Sequence, residues 1–178
     1  MPDILDKIFF DKKIELDSTK RKMSLSDVKN HSSNSNYEIR NIRNSLQRGI
    51  RSSIIAEIKP RTPFKGDLLS NSDDPLAIAK IYADNGASTL SILTESKYFG
   101  GSLSSLESAR EQVSIPLLRK DFIFDEYQVF EARAFGADLF LLIATWLDKN
   151  QLADLLALGK ELGLPALVEI HNEMDMEK

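Results

Sequence analysis

A short apolar run followed by a longer helical segment recurs through most of this chain, and that alternation limits it to very few folds. The apolar runs lie at residues 54–59, 89–94, 116–122, 139–144 and 166–170. Helical spacing fills residues 75–85, 104–113, 125–135 and 148–162, and another helix begins near Asn172. Gly86, Gly136 and Gly163 stand where three of these helices should stop. The interval of roughly 20–35 residues per unit is that of βαβ connections. Apolar strands joined by amphipathic helices predict an α/β protein with a parallel sheet covered on its outer face. Periodicity alone leaves two architectures open, a doubly wound sheet and part of a (β/α)8 barrel.

The polar residues separate them. Barrel chemistry sits at the C-terminal ends of several strands. Here the first run ends with Glu57 and Lys59, the third carries Lys120, and the fifth carries Glu169 with His171 two residues on. Charges at the ends of apolar strands cost desolvation energy, so they need partners or a purpose. Glu57 and Lys59 share a face of a strand, where they form either a strand-end ion pair or a substrate contact. Lys120 faces opposite to Arg119 and Asp121, either as an inward acid or anion-binding group or as a solvated strand end. Glu169 is a proton acceptor, a cation stabiliser, or a carboxylate satisfied by Lys59 or Lys120.

Residues 62–66 and 97–102 are loops after the first and second strands. Phe99 beside Gly100 and Gly101 reads as an aromatic on a mobile loop, available to a planar ligand or folded over the rim. Trp146 and Phe135 read as packing residues. Residues 1–49 differ from the rest and form a helical extension ahead of the barrel residues 50–178. Ile4, Leu5, Ile8 and Phe9 mark one face of a first helix. Lys12, Lys13, Glu15, Lys20, Arg21 and Lys22 are expected on its solvated side. Residues 31–36, with His31, read as a solvated polar linker, and Ile39, Ile42 and Leu46 as a second short helix.

The 178 residues are enough for one domain with a real core, and the formal charge of −4 gives no reason to expect nucleic acid or an anionic membrane as partner. With no cysteine, disulfides, zinc–thiolate sites and thiol nucleophiles are removed together. No run approaches the roughly 18 apolar residues of a membrane span, and the start lacks the pattern of a signal peptide. A cytoplasmic protein is expected. Walker, GxGxxG, HExxH and GxSxG motifs are absent, which leaves nucleotide, zinc and serine-hydrolase readings without support.

Five segments in order resemble the indole-3-glycerol-phosphate synthase family of tryptophan biosynthesis. They are Ile55-Ala56-Glu57-Ile58-Lys59 with Pro63 and Gly66, residues 91–95 with 97–102, residues 118–123 with 125–128, residues 136–138 with 141–143, and Leu167-Val168-Glu169-Ile170-His171. The resemblance implies a (β/α)8 barrel and closure of the pyrrole ring of 1-(2-carboxyphenylamino)-1-deoxyribulose 5-phosphate, with loss of CO2 and water. No metal or organic cofactor is implied.

It also implies roles for individual residues. Lys120 is a general acid at the substrate carbonyl or hydroxyl, and Lys59 holds the anthranilate carboxylate. Glu57 pairs with a lysine, and Glu169 acts as base or stabilises a developing cation. Substrate binding is implied at Thr62, Ser91, Leu93, Phe99 and Phe122. The first loop departs from the family's Ser-Pro-Ser: Thr62 keeps a hydroxyl and Phe64 does not.

A whole barrel needs roughly 250 residues, so the expectation is an incomplete barrel of about five βα units with two open strand edges and little activity by itself. A monomer or a fusion to another pathway enzyme is expected for the longer protein. The lack of cysteine argues against a phosphoribosylanthranilate isomerase-like enzyme, and a half-barrel serving as a binding or assembly module is the non-enzymatic alternative.

Overall fold

Residues 4–46, 52–70 and 74–178 are described by a computed structural model. The boundary expected between residues 49 and 50 falls outside them. The main sheet contains β1 (Ile55–Ile58), β4 (Thr89–Leu93), β5 (Leu117–Lys120), β6 (Leu139–Ile143) and β7 (Ala166–Glu169), all parallel and in that spatial order. A two-stranded hairpin, β2 (Arg61–Thr62) and β3 (Gly66–Asp67), replaces the loop expected at residues 62–66.

Between the main strands run α4 (Pro75–Asp84), α5 (Leu103–Gln112), α6 (Glu126–Ala134) and α7 (Lys149–Glu161), with α8 (Glu173–Met176) after β7. Each starts where a side chain accepts a hydrogen bond from a first-turn amide: Asp74, Ser102, Asp125, Asp148 and Asn172.

Strand parity divides the interior. Leu90, Ile92, Leu117, Phe140 and Leu142 pack with Ala79, Leu106, Ala109, Val129, Ala132, Leu152 and Leu155 from α4 to α7. Leu118, Leu139 and Leu141, on the opposite face, form a separate cluster with Ile143 and Ile42. The helices therefore cover one face, and the strand order never reverses. A doubly wound sheet has helices on both faces and a switch in order, whereas an arc of a (β/α)8 barrel has neither. Among the described residues β1 and β7 are the sheet's edges. Ile54 and Ile55 are exposed beside one edge, and Leu167, Val168 and Ile170 beside the other.

The segment before the sheet holds three helices: α1 (Ile4–Lys22), α2 (Leu25–Ser33) and α3 (Ile42–Leu46). Two expectations need correction here. Residues 31–33 belong to α2, not to a linker. Ser24 and Asp27 form a reciprocal capping box at its start, and His31 meets the edge of the Phe135 ring at 5.6 Å. Lys12 is 5% exposed instead of solvated, because α1, packed through Leu16 against α2 and α6, delivers its ammonium to the buried Asp121. Asp138 ties the next segment to the N-terminal side of the sheet. Its carboxylate accepts from the Arg40 and Leu117 backbone amides and from Arg110 Nη1 at 2.6–2.8 Å.

Candidate active site

The strands β1, β5 and β7 end in charge on the face away from the helices. Pairing sets Glu57 level with Ser91, Leu93 with Lys120 and Ile143 with Glu169, so side chains that are distant in sequence share one rim. A cavity of about 200 Å³ lies there, and Lys59, Lys120 and Glu169 all line it. Lys120 Nζ donates to Glu169 Oε2 at 3.0 Å, and Lys59 Nζ lies 2.7 Å from Glu57 Oε1. Ser91 Oγ reaches Glu57 Oε2 at 3.4 Å, a long contact. Partial burial pushes the Glu169 carboxyl up, but hydrogen bonds from His171 and Lys120 outweigh it and hold the group below the usual carboxylate range.

The apolar wall comes from Leu93, Leu141, Ile143, Phe99 and Phe122, with Leu5 of α1 closing over them. The Phe99 and Phe122 rings lie 6.3 Å apart at 33°. The loop that carries Phe99 is pinned, contrary to the mobile loop expected from its glycines. The buried Glu95 carboxylate accepts from the backbone amides of Lys97, Tyr98 and Phe99 at 3.0, 2.8 and 2.9 Å. Burial raises the Glu95 carboxyl above its ordinary value despite these three donors. From α1, Asp11 takes Lys97 Nζ at 2.7 Å and the Tyr98 hydroxyl. Gly101 is required for closeness instead of freedom: a Cβ there would lie 2.1 Å from the Leu93 carbonyl oxygen. Phe122 is fixed in turn by Gln128, which donates to its carbonyl at 2.8 Å.

The cavity thus gathers Lys59, Leu93, Phe99, Lys120, Phe122 and Glu169 from the residues expected at a site. Glu57 stands one contact behind Lys59, and Ser91 stands behind Glu57. Thr62 does not line the cavity; it sits in the hairpin opposite Gly66. Leu5, Asp121, Leu141, Ile143, Trp146 and His171 also line the cavity and were not among the residues expected at the site. Trp146, expected only to pack, does stack on Phe9 at 5.3 Å but also forms part of the cavity wall. Leu5 arrives from α1, and its apolar face alone signalled burial without saying where. Two ammonium groups and a carboxylate between aromatic walls can bind an anionic aromatic molecule, donate a proton and stabilise a cation.

The indole-3-glycerol phosphate synthase family model matches residues 5–178. The chain belongs to that family. Members bearing the family's name include a protein of Paenarthrobacter aurescens, 53% identical over 137 residues, which covers 77% of this chain and 48% of the relative. One from Laribacter hongkongensis is 42% identical over an alignment of 181 residues, covering 100% of this chain and 68% of the relative. One from Campylobacter fetus is 45% identical over 175 residues, with 98% and 67% covered. The chain thus spans from about half to about two thirds of the length of these family members. Among the described residues no helix is long and apolar enough to cross a membrane.

Proposed function

We propose that this chain carries the lysine–glutamate centre of an indole-3-glycerol-phosphate synthase, within a (β/α)8 barrel. The reaction is the decarboxylating, dehydrating ring closure of 1-(2-carboxyphenylamino)-1-deoxyribulose 5-phosphate. The observation that carries the reading is the convergence of Lys59, Lys120 and Glu169 on one aromatic-walled cavity. Lys120 donates a proton to the carbonyl oxygen as the ring carbon attacks, which forms the new carbon–carbon bond. Lys59 holds the substrate carboxylate that leaves as CO2. Protonation of the resulting hydroxyl lets it leave as water. Glu169 stabilises the cation formed on closure and takes the ring proton, so that one substrate yields indole-3-glycerol phosphate, CO2 and water. Glu57 holds Lys59 in place, and Phe99, Phe122 and Leu93 bracket the aromatic ring.

Phosphate binding in barrels of this kind belongs to loops after later strands. We therefore assign it to the part of the family's length that this chain does not span, together with most of the turnover, and assign the protein to the cytoplasm. The test is release of labelled CO2 from carboxyl-labelled substrate by the chain combined with the C-terminal third of a relative. Lys120→Ala should lower turnover by about 10²–10⁴-fold. Equal turnover in the variant would reject the assignment. The exposed Ile54, Ile55, Leu167 and Val168 at the two edges support a second reading, in which two copies pair as a non-catalytic assembly. A compact dimer on gel filtration would favour it.

A further inference from the structure

We propose that His171 is a positioning residue: with Lys120, it holds both oxygens of the Glu169 carboxylate and aims that group into the cavity. The catalytic use of Glu169 rests on the function proposed above, but the grip of His171 on it does not.

His171 lies two residues beyond Glu169, so its side chain returns to the same face where β7 ends. Its Nε2 is 2.7 Å from Glu169 Oε1, while Lys120 Nζ is 3.0 Å from Oε2. The backbone of His171 is held from behind. The His171 backbone amide donates to Asp175 Oδ2 at 3.0 Å, and the same oxygen accepts from Thr145 Oγ1 at 2.6 Å. Lys178 Nζ reaches Asp175 Oδ1 at 3.3 Å and the Ala144 carbonyl at 2.7 Å. The short helix α8 thus locks the backbone that carries the ring.

The charged groups around Glu169 are few. Lys120 faces it from β5. Lys59 shares the cavity from beyond β1 but is committed to Glu57. Asp121 also borders the cavity, bound to Lys12 and Arg119, and Asp175 touches only the His171 backbone and its own partners. A carboxylate bound by Lys120 alone could swing about that one contact. Held at both oxygens it presents a fixed edge, and the imidazole can give up its hydrogen bond when a substrate group replaces it. The contact calls for the tautomer that carries its hydrogen on Nε2, which donates to the carboxylate. The same hydrogen bond favours the ionised carboxylate, which is the form a base or cation stabiliser needs.

The test follows the Glu169 carboxyl carbon by NMR in this chain as pH is varied, with no substrate present. His171→Ala should move its titration to higher pH, because a donor to the charged form is lost. His171→Gln places an amide Nε2–H at a similar reach and should return the titration towards the wild-type position. An unchanged His31 ring signal against Phe135 confirms in both variants that the remainder is folded. A Glu169 titration that ignores His171→Ala, or a Gln variant that behaves like Ala, overturns the inference. Absence of turnover, with the carboxyl still answering to His171, would instead reject the proposed reaction and leave this pairing standing.

Discussion

The two faces of β5 hold charge in opposite ways. On the helix-covered side Arg119, and Asp121 just past the strand's end, are buried and paired. Arg119 donates to the Gln128 carbonyl at 2.7 Å and to Asp121 and Glu131 at 3.1 Å each. Asp121 also takes Thr94 Oγ1 at 2.7 Å and Lys12 Nζ at 3.0 Å. On the other face Lys120, between these two residues, has Glu169 as its ion-pair partner, with side chains 29% and 34% exposed. The first set ties α1, the end of β4, β5 and α6 together and is committed to buried partners. The second is half-solvated and can exchange its partner for a ligand at small cost. Adjacent residues of one strand are thus divided between holding the fold and lining the cavity, and alternation of side chains is what divides them.

The comparison can be broken by experiment. Asp121→Asn should cost on the order of 3–5 kcal/mol in denaturant unfolding, since it leaves Lys12 and Arg119 buried with too little negative charge. Acid should attack the same network. Burial raises the Asp121 carboxyl, but Lys12 and Arg119 outweigh it and hold the group at about 2, below its ordinary 3.8. A depressed carboxylate stabilises the fold above its unfolded value, and that contribution is lost as pH falls towards 2. About 2 kcal/mol should disappear across this window in the wild type and be missing from the pH dependence of Asp121→Asn.

Lys120→Met should change stability by less than about 1 kcal/mol, as expected of a part-exposed pair. If it unfolds the protein as severely as Asp121→Asn, the two faces do not differ in the way described. The smallest effect is expected from Asp11→Asn. It should leave unfolding nearly unchanged and speed hydrogen exchange at the 97–99 amides, because the exposed clamp from α1 onto Lys97 and Tyr98 is weakened.

How much of this was legible in the sequence varies by element. The five main strands and the helices between them carry one-sided apolar spacing, so they were readable within a residue or two. Alternation set Lys120 opposite to Arg119 but left open whether it faced inward or into solvent, and the charged ends of β1, β5 and β7 were visible as breaks in apolar runs. What failed was non-local or too short. Lys12 stood on a charged helix face, and nothing near it in sequence announced Asp121 as its buried partner. The Ser- and Asn-rich residues 31–36 looked like a linker, although Ser24 and Asp27 carried the capping signal of a helix that runs on through Ser33. Two-residue strands such as β2 and β3 have no period to detect. Trp146 follows β6 in a 3-10 turn spanning Ala144–Trp146, where strand parity no longer says which way a side chain points.

The seat of Trp146 gives the protein a built-in optical probe. It is the chain's sole tryptophan, it borders the cavity, and its ring rests on Phe9 of α1. Its emission therefore reports on two things at once: whether a ligand has displaced water from the cavity, and whether the first helix is docked. An aromatic ligand should quench or shift that signal without any label. On the proposed function the product's indole would fluoresce in the same window, so occupancy is best followed with non-reacting ligands.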